Sequence, residues 1–332
     1  ECSLMDVKVQ EVDIFGNAKQ KATLSKNRKF QNPSITADGH KRAEVALTGL
    51  RTLWFNTGSL CNIACVNCYM GSSPMNNDLV YLSLNDVRRY LDEVEHEGYS
   101  LEEVGFTGGE PLMNKALPGM MAEALGRGYK VLLLTNAMKP LLHKKQQLLD
   151  IKRRHSKALT IRVSLDHFTQ IHHEAIRGEG TWKVVLNGLR WLTENNFSLA
   201  IAGRTCWGDP EHRAREGYAE LFEREGFDID AYDPAQLVLF PEMALTVDVP
   251  EITVHCWDIL DVKPESIMCA TSRMVVKKKG ADTATVVPCT LLPYDSEFEM
   301  GGNLADSVNA VRLNHPNCAK FCVLGGASCT SS

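Results

Sequence analysis

The chain has 332 residues, 44% hydrophobic and 23% charged, an ordinary globular composition with enough apolar side chains for one large core and a small appendage. A net charge of -5 and a pI near 6.1 give no global basic field, so nucleic acid as an extended partner is disfavoured, while a local basic patch stays open. No run of about 18 apolar residues and no secretory pattern occurs, so a cytoplasmic protein with no membrane segment is expected.

In chain order, residues 1–48 are polar and weakly periodic and read as an N-terminal extension with a hairpin; no dedicated leader-peptide-binding domain is evident there. From Leu50 onward, short apolar runs alternate with amphipathic segments. Strands are predicted at 53–57, 103–107, 130–135, 160–165, 198–203 and 236–240. The first helix follows from Leu84, Val87, Leu91 and Val94, with Ser83 as its N-cap; others are predicted near 117–125, 141–154, 182–195 and 213–225. Six such repeats make residues 49–245 an α/β unit, a three-quarter barrel or an open parallel sheet, short of the eight units of a closed barrel. Residues 246–332 carry five prolines and a strand pair predicted at 273–277 and 284–288. This small, cysteine-rich α+β segment has little core of its own, and bound metal would supply the missing stability.

The eleven cysteines are odd in number and clustered, which reads as metal ligation rather than cross-linking. Cys61, Cys65 and Cys68 follow the first predicted strand in C-x3-C-x2-C spacing. Three thiolates on one tight loop can hold three irons of a [4Fe–4S] cube and leave the fourth without a protein ligand. The alternative is structural zinc, but no histidine lies between His40 and His96 to complete a local tetrahedral set. The spacing, with Tyr69 directly after Cys68, resembles the radical SAM superfamily.

The second motif, Thr107-Gly108-Gly109-Glu110-Pro111, ends the second predicted strand. Glycines there let backbone approach a ligand, and carboxylate or carbonyl oxygens can hold an amino group. The resemblance gives Gly108, Gly109 and Glu110 the role of seating the methionyl amine of S-adenosylmethionine (SAM). It likewise implies that Ser164 and Asp166 contact the ribose or methionyl group and that Arg177 pairs with the methionyl carboxylate; the alternative for Arg177 is a solvated helix-end cation. Asn136 and Arg204 sit at the same predicted rim as further cofactor contacts. No residue is assigned acid–base catalysis, and His172 and His173 receive no role.

Near the C-terminus, Cys269, Cys289, Cys318, Cys322 and Cys329 supply more thiols than one cube needs and fewer than two need. The pattern is similar to a Twitch or shortened SPASM domain holding one auxiliary [4Fe–4S] cluster. Cys269, Cys289, Cys318 and Cys322 are the preferred ligands; Cys329 replaces one of them or serves separately. The Cys318–Cys322 spacing is one residue longer than the usual C-x2-C, and a zinc knuckle is the alternative. Cys2, Cys206 and Cys256 have no partner at ligand spacing.

The resemblance thus implies a partial (β/α)6 radical SAM barrel with an auxiliary-cluster domain. Its expected reaction is reductive cleavage of SAM to a 5′-deoxyadenosyl radical that abstracts a substrate hydrogen, for oxidation or cross-linking of a peptide or small molecule. An electron donor such as flavodoxin or ferredoxin is the implied partner. The competing readings are a non-catalytic iron–sulfur carrier or binding module, in which the Gly108–Glu110 motif has no purpose, and an RNA-modifying enzyme, which the acidity disfavours.

Overall fold

The computed structural model describes residues 29–155, 157–241 and 248–326. The elements run β1 (Glu44–Val45), β2 (Thr52–Asn56), α1 (Leu84–Glu97), β3 (Glu103–Thr107), α2 (Leu117–Gly126), β4 (Lys130–Thr135), α3 (Lys139–Leu142), α4 (Lys145–His155), β5 (Leu159–Ser164), α5 (Gln170–Arg177), α6 (Thr181–Glu194), β6 (Ser198–Arg204), α7 (Glu211–Glu225) and β7 (Leu237–Phe240). After them come α8 (Cys256–Leu260), β8 (Ser272–Val276), β9 (Thr285–Val287), β10 (Val311–Arg312) and the π-helical turn Cys318–Val323. Strands β2 to β7 pair in parallel in sequence order, as the six predicted βα repeats require. The fold is α/β, a parallel partial barrel with helices outside.

Local chemistry starts and stops the helices where the sequence says. Ser83 Oγ accepts from Asp86 N (3.1 Å) while Asp86 Oδ2 accepts from Ser83 N (2.8 Å), a reciprocal cap, and Gly98 in the left-handed region ends α1. The predicted helix over 141–154 is broken into α3 and α4 around His143 and Lys144.

Alternate residues of the parallel strands face outward and inward. Leu53, Phe55, Val104, Phe106, Leu133, Ile161 and Val163 pack outward against the helices in one apolar cluster. Trp54, Leu132 and Met274 belong to a second cluster, which fills the barrel and continues to the C-terminal segment. The indole of Trp54 occupies the space a side chain at position 105 would take, so β3 carries Gly105 there.

Two long-range pairings differ from the sequence expectation. The predicted hairpin forms as β8 and β9, but β8 lies parallel to β2, with Thr52 opposite Ser272 and Phe55 opposite Val275, so eight strands form one sheet in the order β7-β6-β5-β4-β3-β2-β8-β9. Among the described residues of the N-terminal extension, Ile35 and Lys41 form an isolated antiparallel bridge, and its strand β1 pairs with β10. The buried Arg42–Glu251 ion pair (2.5 Å) also ties it to the C-terminal segment. Both pairings join residues more than 200 positions apart, which no local pattern encodes.

Candidate functional site

The cysteine triad sits on the loop leaving β2 at the carboxyl end of the sheet. Neighbouring backbone fixes that loop: Cys61 N donates to Ser73 O (3.1 Å), Val66 N to Ile176 O (2.8 Å) and Gly71 N to Cys68 O (2.8 Å). The loop after β3 is pinned to it by Gly109 N to Gly58 O (2.8 Å) and Glu110 N to Leu60 O (3.0 Å).

The cysteine triad lines one cavity together with Tyr69, Gly108, Gly109, Asn136, Ser164, Arg177 and Arg204. Thr107 and Pro111 of the glycine motif also line it, and Met70, Ser72, Leu134 and Thr135, which were not singled out from the sequence, complete its wall. Asn136 Nδ2 reaches Cys61 Sγ (3.8 Å) and Asn62 Oδ1 (2.9 Å), placing a donor against the sulfur. Burial pushes the Cys61 thiol up to about 11 and raises Cys65 as well. Such thiols stay protonated near neutral pH unless a bound metal replaces the proton.

Glu110 and Asp166 are buried and are not among the residues that line the cavity. The buried Glu110 carboxylate accepts from Leu112 N (3.0 Å), Thr135 Oγ1 (2.9 Å) and Asn136 N (2.8 Å), bolting the end of β3 to that of β4. Asp166 pairs with Arg177 (Nε–Oδ2 2.5 Å) and Arg204 (Nε–Oδ1 3.2 Å). Arg177 is thus a buried, paired cation rather than a solvated helix end. Arg204 Nη1 also donates to the carbonyls of Val66 and Asn67 (3.4 Å each), bracing the triad loop. Two guanidiniums and one carboxylate leave a net positive charge beside Cys65, which works against the burial that raises its pKa.

Cys269, Cys289, Cys318 and Cys322 converge on a second, apolar pocket walled by Ile267, Met268, Leu291, Leu292, Val311 and Leu313. Cys329 lies outside the described residues. The four-residue step from Cys318 to Cys322 brings both thiols to one face of the helical turn, so the longer spacing serves the same pocket. Burial pushes Cys269 up to about 11 and Cys318 to about 12. Sequence reasoning missed Arg273, fully buried beside Cys269 and Cys289. It donates to the carbonyls of Cys269 (2.6 Å), Ser272 (2.8 Å) and Ser307 (2.8 Å), and among the described residues it has no carboxylate partner. A buried cation held only by carbonyls suits an anionic group at the neighbouring thiols. Tyr294, two residues beyond Leu292 of that pocket's wall, donates its hydroxyl to Met70 O (2.6 Å) next to the triad.

Residues 55–206 match the family model described as Radical SAM superfamily. A curated relative is the antilisterial bacteriocin subtilosin biosynthesis protein AlbA of Bacillus subtilis, 22% identical over 191 residues that make up 57% of this chain and 40% of AlbA. Among solved structures, Streptococcus suis SuiB bound to its precursor peptide SuiA superposes with TM-score 0.57 at 13% identity, covering 80% of this chain and 66% of SuiB. Native anSMEcpe with bound AdoMet gives TM-score 0.56 at 13% identity, covering 81% of this chain and 82% of that one. The chain therefore spans less than half the length of AlbA, and its likeness to the solved structures is one of fold. The matched residues 55–206 carry the cysteine triad, the Gly-Gly-Glu turn and Arg204, so the chain's likeness to the radical SAM superfamily lies in the residues that build the cavity.

Proposed function

We propose that this protein reductively cleaves SAM and directs the resulting radical at a peptide, with a net oxidation or cross-link that an auxiliary cluster assists. The observation that carries the reading is the single cavity at the carboxyl end of the parallel strands, where Cys61, Cys65 and Cys68 face Gly108, Gly109, Ser164, Arg177 and Arg204. Cys61, Cys65 and Cys68 would hold a [4Fe–4S] cluster, which together with SAM and one electron would supply a 5′-deoxyadenosyl radical. The chain's own residues bind, orient and exclude water. Asn136 donates toward Cys61, Arg204 braces the triad loop, and Arg177 offers positive charge to a carboxylate.

No histidine lies between His40 and His96 to complete a local tetrahedral zinc set at the triad, which supports a cube there. We assign Cys269, Cys289, Cys318 and Cys322 to the auxiliary cluster within residues 246–332, with 49–245 as the barrel domain and 1–48 as the extension. The counter-charge of Arg273 supports that assignment. A peptide substrate is supported by AlbA's role in subtilosin biosynthesis and by neighbours solved with peptides bound. Among the described residues no helix is long and apolar enough to cross a membrane.

Anaerobic reconstitution tests the reading. The full chain is expected to hold about eight irons, four per cube, and to release 5′-deoxyadenosine from SAM under reduction. A Cys61→Ala/Cys65→Ala/Cys68→Ala variant should lose half the iron and all the release; retention of either refutes the proposal.

A further inference from the structure

Reductive cleavage consumes one electron per SAM, which a partner must deliver near the triad. Two segments that run on from the cavity-lining Pro111 and Asn136 carry a basic surface. Lys115 lies five residues beyond Glu110, and Lys139 three residues beyond Asn136, whose side chain touches Cys61. The short helix α3 packs on the Pro111–Met113 turn, which brings the two segments together, and buries Pro140 and Leu141. Leu142 is left 51% exposed among Lys139, His143 and Lys144.

The charge of this surface departs from the rest of the molecule. Between 139 and 157 the sequence has seven Lys and Arg against one Asp, in a chain of net charge -5. Cations elsewhere are largely neutralised: Arg51 by Glu102, Arg88 by Glu123, Arg127 by Asp92, Glu95 and Glu123, Arg190 by Glu225 and Arg215 by Glu211. On this surface, Arg153 pairs with Asp150, Lys145 lies over the Trp191 ring, and Lys152 lies over Phe197 and donates to Asn195 O. Among the described residues, Lys115, Lys139 and Lys144 have no carboxylate within ion-pair distance. Partial burial and the charge of Lys115 both lower the pKa of Lys144, so like charges are held together at a cost to the isolated protein.

We propose that Lys115, Lys139 and Lys144, set around the exposed Leu142, form the docking surface for an acidic one-electron carrier protein that reduces the triad's cluster. An apolar anchor ringed by unpaired lysines suits a small, transient redox interface, in which opposite charge raises the encounter rate more than the affinity. In the step itself the reduced carrier loses one electron and the cluster gains it; no bond forms or breaks at the surface. The proposal rests on the SAM-cleaving reading above.

The test uses the full chain with both clusters loaded. Reduction is followed by visible bleaching and electron paramagnetic resonance, with either a reduced, net-negative [2Fe–2S] ferredoxin or photoreduced deazaflavin, a small neutral donor. The ferredoxin-driven rate is expected to fall on the order of tenfold in Lys115→Glu/Lys139→Glu/Lys144→Glu, and comparably in the native protein as salt rises from low to high. The deazaflavin-driven rate and the 5′-deoxyadenosine it yields should not change. A Lys→Gln triple variant should fall between the two, which separates charge from misfolding. An unchanged ferredoxin rate in the Glu variant overturns the proposal. So does loss of binding to single-stranded RNA or to phosphatidylserine vesicles with that rate intact, which would assign the patch to another polyanion. If deazaflavin drives no SAM cleavage even in native protein, the SAM-cleaving reading fails instead, so the two failures are distinct.

Discussion

Arg177 and Asp166 form a buried ion pair, Nε to Oδ2 2.5 Å, in which the guanidinium lines the cavity of the cysteine triad and the carboxylate does not. Arg204 takes the other carboxylate oxygen at 3.2 Å, so one aspartate orients two cations at the wall and, through Arg204, steadies the triad loop.

Removing that aspartate strands two buried charges. Asp166→Asn is expected to cost about 3–5 kcal/mol in urea unfolding at pH 7, the usual penalty for breaking a buried pair. The pH dependence has a definite sign. Burial by itself raises the Asp166 pKa, but the charges of Arg177 and then Arg204 outweigh it and hold the carboxyl below its ordinary 3.8. Its contribution is therefore complete above the unfolded value and is lost as pH falls through the lower, folded one. The gap between native protein and Asp166→Asn should stay constant from about pH 7 to 5 and close below about pH 4; a gap that persists undiminished in strong acid contradicts the pairing.

Gly109 is required by the chain before any ligand arrives. A Cβ at that position would overlap the Leu60 carbonyl and come within 2.6 Å of Ser59 O, both backbone, so the β3 loop and the triad loop could not meet. Gly109→Ala is expected to destabilise the apo protein by about 1–3 kcal/mol, as overpacking does, and to weaken iron retention at the triad. Gly126→Ala, where a Cβ meets nothing within 4 Å inside α2, should be neutral or stabilising by about 0.5–1 kcal/mol. Equal thermal midpoints for the two variants would show that the loops do not depend on the glycine.

Before metal arrives, the deepest thiols should be slow nucleophiles. With Cys61 and Cys269 at about 11 and Cys318 at about 12, alkylation of metal-free protein at pH 8 should run roughly a hundredfold slower at the first two and roughly a thousandfold slower at Cys318 than for a free cysteine, and faster with rising pH. Loading must expel those protons, so iron retention should weaken as pH is lowered. Mass spectrometry of labelled peptides checks the first expectation and chelator titration across pH the second. Rapid labelling of Cys318 in folded apo protein is the contrary result.

The sequence alone carried everything that depends on short spacing. The triad, the Gly-Gly-Glu turn after the second strand, the Ser83 cap and the six apolar runs each lie within a few residues, where thiol spacing, glycine freedom and strand periodicity act locally. Tertiary structure alone decided which side chains meet. Glu110 faces Thr135 and Asn136 because β3 lies beside β4, Asp166 takes Arg204 because β5 lies beside β6, and β8 reaches β2 across more than 200 residues. Lys115 and Lys144 become neighbours in the same way, through the packing of α3 on the turn that follows β3. The physical reason is common to all four: a strand's own sequence sets which residues face in or out, whereas its partner and register are set by burial summed over the whole sheet.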